Sequence, residues 1–315
     1  MTVSPNVGGY VVLVSLFPLQ FGGVPMTKNR RDLLKLAALG GATLALGTST
    51  EAMAQDAATG KPPWAELMGW RIGCQLFSFR FYTFQQAVEK TAQTGARYCE
   101  IFLGQKIDDS KKTSDAIGDR AVRKLMKTIL ADYGVIPLSV GVCGADRGVF
   151  DFAAEMGLYA ISSEPKFDKL AEVNALTEEY RINVALHNHP KPTIYWDYKT
   201  VLEQLKDCGP RIGACADTGH WMRSEINPIE AINALKGRII QFHFKDLHEY
   251  GKGHDVPWGT GKADVPAILA ELAAQRFSGP FFAEYEHNWE TSVPEITQSI
   301  AFFNETARKI IVDEP

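Results

Sequence analysis

The sequence lacks any C-x-x-C pair. Its five cysteines, Cys74, Cys99, Cys143, Cys208 and Cys215, are widely spaced and odd in number. That excludes a disulfide framework and a cysteine zinc cluster, and leaves these residues as small buried apolar side chains. Positive charge is not in excess either: 33 Lys and Arg stand against 37 Asp and Glu, a net charge of −4. A generic nucleic-acid binder would show a basic stripe. No Gly-rich phosphate loop follows the first strand-like run, IGCQLFSFR at 72–80, which argues against an open dinucleotide-binding sheet. Histidine is missing from the whole first half: all seven lie between His187 and His287. Histidines spread for solubility would not cluster in this way.

What is present begins with an address. From Met26 the chain reads MTKNRRDLLKLAALGGATLALGTSTEAMAQ. This is a basic segment with twin arginines Arg30 and Arg31, an apolar stretch broken by Gly40 and Gly41, and an A-x-A site at Ala52-Met53-Ala54. The pattern is that of a twin-arginine (Tat-type) export signal, and the apolar stretch is too short for an ordinary transmembrane helix. Residues 1–54 are therefore read as an export signal region with Met26 as its start, 55–70 as a linker and 71–315 as the folded domain. The mature protein is expected in the periplasm, touching the membrane only in transit.

After the linker a rhythm sets in. Apolar runs at 72–79, 98–103, 135–142, 159–162, 182–186, 212–216, 239–244 and 281–285 alternate with stretches of helical periodicity at 84–94, 119–133, 168–181, 198–208, 228–236, 265–276 and 294–311. In 265–276, Val265, Ile268, Leu269 and Leu272 recur at helical spacing along one face. Gly95, Gly134, Gly157, Gly209, Gly237 and Gly279 supply C-cap chemistry before re-entry into a strand. Alternating strands and helices imply a parallel sheet. Eight units over about 250 residues match an α/β, (β/α)8 barrel. With 45% hydrophobic and 22% charged residues, the composition supports one large core.

The chemistry lies at the ends of the last four strands, which read LHNHP (186–190), ADTGH (216–220), HFKD (243–246) and AEYEH (283–287). In a barrel these ends share one rim, so His187, Asp217, His243 and Glu284 can converge on one point. Mixed carboxylate and imidazole ligands suit Mn²⁺, Mg²⁺, Zn²⁺ or Fe²⁺. Each has a plainer reading: Asp217 as a helix N-cap, His243 as a core histidine, Lys245 as a surface lysine. Glu100, at the end of the second strand, reads equally as structural or substrate-facing. Trp258 and Trp289 read as walls for a sugar face or as packed side chains. His248, His254 and His287 read as loop residues. No Gly loop or Arg cluster suited to an anion follows the seventh or eighth strand, so a phosphorylated substrate is not indicated.

These motifs resemble the xylose isomerase-like TIM barrels: A-D-T-G-H, then H-F-K-D, Asp217 and His243 being 26 positions apart, then a strand ending E-Y-E, with GHDVPWGTG at 253–261 resembling the loop after the family's seventh strand. The resemblance implies a divalent metal held by His187, Asp217, His243 and Glu284. It implies a sugar or sugar derivative as partner, and proton abstraction next to a sugar carbonyl through an enediolate, giving isomerisation or epimerisation. Glu164, His189, His220, Lys245 and Glu286 are the candidate catalytic residues. One departure stands out. The family's fifth-strand ligand is usually a Glu that doubles as a base, and here it is His187, with Glu164 the candidate replacement. That departure brings in a second expectation, a metal-dependent keto-sugar (3-keto-glycoside) lyase or dehydratase. A non-catalytic sugar-binding barrel is a third. The family's AP-endonuclease branch carries histidines on its second and third strands, and none occur here.

Overall fold

The computed structural model describes residues 63–108 and 112–313. The export signal read at 1–54 lies outside the described residues, as do linker positions 55–62. Within 63–70 the chain forms a helical turn, Trp64–Leu67, and then buries Trp70 completely, its indole donating to the Phe277 carbonyl at 2.9 Å. Among the described residues no helix is long and apolar enough to cross a membrane.

Eight parallel strands close into a barrel: β1 (Arg71–Gln75), β2 (Tyr98–Ile101), β3 (Ile136–Cys143), β4 (Ala160–Ser163), β5 (Asn183–His187), β6 (Ile212–Asp217), β7 (Ile239–Phe244) and β10 (Pro280–Ala283). β1 closes the ring by pairing with β10 on one side and β2 on the other. Between β7 and β10 the chain adds a small antiparallel hairpin, β8 (Asp246–Leu247) with β9 (Asp255–Val256). Every run read as a strand overlaps one, because near-continuous apolar segments suit strands covered on both faces. β6, buried at all six positions, is the extreme case.

The first run ends sooner than its hydrophobicity suggests. Gln75 turns its side-chain oxygen to accept from the Phe77 N–H, and Leu76–Phe79 closes as a 3-10 turn rather than extending β1. A helix at Arg147–Met156 fills the stretch between β3 and β4, capped by Asp146 at its start and by left-handed Gly157 at its end. Helix Arg120–Tyr133 is bounded in the same way by Asp119 and Gly134. Cys74, Cys99 and Cys215 are buried, and all five cysteines are free thiols.

Asp246, polar and adjacent to the rim, turns away from it. Its carboxylate accepts from the backbone N–H groups of Gly259, Gly261 and Ala263 at 2.8–3.0 Å, pinning the 253–263 loop. Trp258 packs into the core against Phe244, with ring centroids 5.0 Å apart, and is no wall of an open site. Trp289 sits partly buried at the mouth, with the Arg80 guanidinium 3.9 Å from its ring centroid.

Candidate metal centre

Strand register brings the key side chains together. Asp217 at the end of β6 is paired with His243 in β7, and His187 at the end of β5 is paired with Cys215. Glu284 follows β10 directly. One ligand atom from each of His187, Asp217, His243 and Glu284 lies within 4.8 Å of all the others, and all four residues are buried.

The two imidazoles are held from behind. Glu164 Oε1 lies 2.9 Å from His187 Nδ1, and Glu100 Oε1 lies 2.7 Å from His243 Nε2. A carboxylate accepts only, so each bonded nitrogen carries the proton. When each ring is neutral, the opposite nitrogens present lone pairs: His187 Nε2, 3.6 Å from Asp217 Oδ2, and His243 Nδ1, 3.3 Å from Glu284 Oε2. Both are fully buried and neither has a hydrogen-bond partner. Burial alone would lower the pKa of His187, yet the Asp217 and Glu164 carboxylates facing its two nitrogens raise it to about 9, so a cation bound at Nε2 would displace a proton. His243 is likewise raised well above the ordinary range: burial opposes this, but nearby Cys215, Glu100 and Glu284 outweigh it.

Positive charge already sits among the carboxylates. The Lys245 ammonium is fully buried, 2.6 Å from Asp217 Oδ2, in direct contact with Glu284 Oε2 and 3.5 Å from Glu286 Oε2. Burial works against charging that lysine, but Asp217, Glu284 and Glu286 together raise its pKa. In return it holds Glu284 below the usual carboxylate range against the opposing effect of burial. Asp217 is pulled well below its ordinary value despite burial, chiefly by His220 and then Lys245. Gly219 makes room for the lysine stem: a Cβ there would stand 2.6–2.7 Å from Lys245 side-chain carbons.

Two buried imidazole nitrogens without partners, two buried carboxylates and a lysine ammonium standing in for a cation make a donor set that fits a divalent metal. The N-cap reading of Asp217 also holds. Its Oδ1 accepts from the His220 N–H at 2.7 Å and starts the short helix Thr218–Arg223, while Oδ2 faces the centre.

The remaining candidates surround this group. Glu164 Oε1 also contacts His189 Nδ1, so Glu164, His187 and His189 form a second cluster with potential ligand atoms within 4.8 Å. The Glu164 pKa falls to about 2: burial opposes the shift, and the bonds from His187 and His189 drive it. His189 is exposed over 44% of its side chain. His220 is buried, its Nε2 3.6 Å from Asp217 Oδ2. Glu286 is bonded to Arg223 at 2.5 Å. Sequence reasoning left the role of Glu100 undecided. It is completely buried, and its oxygens are taken up by Gln75, Gln241 and His243, which makes it a support for His243. Arg223 and Asp255, 2.9 Å apart, are not marked as site residues by the sequence, because neither stands at the end of a barrel strand.

A closed barrel of eight parallel strands, with two histidines and two carboxylates clustered at its C-terminal rim, is an α/β barrel with a buried group of residues able to hold a metal. A family model described as the xylose isomerase-like TIM barrel matches residues 166–306, which include all four clustered residues. That stretch of the chain is thus similar to the xylose isomerase-like TIM barrels, as the strand-end motifs led one to expect. Solved structures agree on the fold. A putative uncharacterized protein from Parabacteroides distasonis ATCC 8503 is 29% identical over 75% of this chain and 99% of its own, with a TM-score of 0.59. A D-tagatose 3-epimerase-like protein is 17% identical, covering 78% of this chain and 100% of its own, with a TM-score of 0.64. A xylose isomerase-like TIM barrel protein from Mycobacterium smegmatis, in complex with magnesium, is 12% identical over 72% and 89%, with a TM-score of 0.61. No curated protein matches the sequence.

Proposed function

We propose that this protein is a divalent-metal-dependent enzyme that moves a proton next to the carbonyl of a small sugar or sugar derivative, an isomerase- or epimerase-like activity. The observation that carries this reading is the pair of buried, unpartnered ring nitrogens, His187 Nε2 and His243 Nδ1, facing Asp217 and Glu284. The likeness in fold to an epimerase-like protein and to a magnesium-containing barrel supports it. A cation held by these four residues would supply positive charge to a sugar carbonyl and its neighbouring hydroxyl.

The chain's own groups would do the rest. Glu164 orients His189 through Nδ1, which leaves His189 Nε2 to accept a proton at the open mouth. His220 faces the centre from the β6 side, and Lys245 balances the carboxylates beneath it.

One observation weighs against epimerisation and leaves isomerisation beside a second reading, a keto-sugar lyase or dehydratase. Glu164 is bonded to two imidazoles and Glu286 to Arg223, so His189 is the general base with the fewest commitments. A base on one face serves transfer between adjacent carbons or β-elimination. Inverting a carbon calls for a proton delivered from the opposite face.

Incubation of the metal-loaded protein with aldoses, ketoses and 3-keto-glycosides in D2O, followed by proton NMR, separates the readings. Loss of the signal from the proton beside the carbonyl, together with a new sugar, is the expected result. Loss accompanied by release of water or aglycone selects the lyase. Sugar binding without any exchange, in protein that purifies free of metal, would leave only a binding barrel. We also propose delivery to the periplasm through the Arg30–Arg31 signal; recovery from the cytoplasmic fraction alone would refute that.

A further inference from the structure

We propose that Arg223 is a positioning residue that fixes His220 as its Nε2–H tautomer, making His220 a hydrogen-bond donor toward the centre and excluding it as a metal ligand. His220 and Arg223 lie three positions apart on the short helix Thr218–Arg223, hence on one face. The Arg223 side chain is only 18% exposed and is anchored from two other elements. Its NH2 is 2.9 Å from Asp255 Oδ2 on β9, and its NH1 is 2.5 Å from Glu286 Oε2 beyond β10. Held there, NH1 also lies 3.0 Å from His220 Nδ1.

The chemistry of this contact has one solution. A guanidinium has five donors and no acceptor, so Nδ1 must accept. A neutral imidazole carries one proton, which therefore sits on Nε2. That nitrogen is the one 3.6 Å from Asp217 Oδ2, on the side of the metal cluster. A ring nitrogen bearing a proton has no lone pair to give a cation. His220 stands close to the other imidazoles, its ring centroid 5.6 Å from that of His187 and 5.2 Å from that of His189. Despite that proximity it cannot join either ligand cluster while Arg223 stays bonded. It can instead donate to an oxygen of a substrate lying over Asp217. This last use rests on the proposed function, whereas the tautomer does not.

The test is long-range proton–nitrogen NMR on the full chain labelled with 15N-histidine, at neutral pH with magnesium present. The His220 signals are assigned by their loss in His220→Gln. In the wild type His220 should show a protonated Nε2 and an unprotonated, hydrogen-bonded Nδ1. Arg223→Lys, which keeps a cationic donor, should retain that pattern, and Arg223→Met should give mixed tautomers. A wild-type His220 protonated on Nδ1, or an Arg223→Met spectrum identical to wild type, overturns the proposal. If the methionine variant does not fold, the wild-type spectrum alone still decides. The spectrum does not depend on turnover, so a protein inactive on every sugar would sink the functional reading and leave this one standing.

Discussion

Asp217→Asn should fold as the wild type does yet lose stoichiometric metal and activity together. The physical reason is that the two oxygens of Asp217 have separate tasks. Oδ1 caps the helix Thr218–Arg223 by accepting from the His220 N–H, and an amide oxygen can still do that. Oδ2 faces His187 and Lys245 and supplies half of the centre's negative charge from aspartate and glutamate ligands. Asp217→Ala would confuse the two roles, since loss of a cap costs about 1 kcal/mol in its own right. His243→Ala should likewise abolish bound metal, because it removes one of only two neutral nitrogen donors. Glu100→Gln is the graded case. It keeps His243 in place less firmly and should weaken metal affinity by roughly 10–100-fold, as loss of an outer hydrogen-bond partner does. Elemental analysis and calorimetric titration measure all of these. Full metal content in Asp217→Asn or His243→Ala would overturn the assignment of the ligands.

Lys245→Met should produce the largest change in stability, and only in protein stripped of metal. With the ammonium gone, Asp217 and Glu284 remain buried beside one another without their shared counter-charge. Stranding a buried partner in this way costs about 3–5 kcal/mol, on the order of 10 °C in melting temperature for a domain of this size. A divalent cation replaces the missing charge, so added magnesium should recover most of the loss and stabilise the variant more than it stabilises the wild type. Thermal melts with and without chelator check this. Equal melting temperatures for wild type and variant in chelator would show that the lysine does not hold the metal-free centre together.

The parts of the molecule that could be read from sequence are those written in local pattern. Runs such as IGACAD at β6 announce strands because both faces of a barrel strand are covered, and the polar residues that end them stand out against an apolar background. Register then does what spacing alone cannot: Asp217 and His243, 26 positions apart in sequence, become cross-strand neighbours. What stayed hidden depends on contacts across the barrel. Glu100 and His243 are separated by 143 positions and sit on strands that do not pair, so nothing near Glu100 marks it as the support for a ligand. Arg223 lies in an unremarkable helical turn, and its anchors Asp255 on β9 and Glu286 beyond β10 come from two other elements. Lys245 could be assigned a carboxylate partner from its strand-end position, but not its complete burial between two of them. Glu164, just past the end of β4, stands out in sequence as a carboxylate that could replace the glutamate usual at the fifth-strand position, where this chain has His187. Its bonds to both His187 and His189 make it a support for the two imidazoles, which no local pattern marks. Asp246 stands next to Lys245 in sequence, yet the three N–H groups that donate to it belong to the 253–263 loop.

Whether one metal occupies the cluster of His187, Asp217, His243 and Glu284 can be seen directly. Crystals grown with zinc, measured on both sides of the zinc absorption edge, should give an anomalous peak about 2.0–2.2 Å from His187 Nε2, His243 Nδ1 and an oxygen of each of Asp217 and Glu284. Lys245 should have moved off at least one carboxylate. A peak lying instead between Glu164, His187 and His189, or an ordered Lys245 still bridging Asp217 and Glu284 with no peak beside it, would contradict the proposed metal centre.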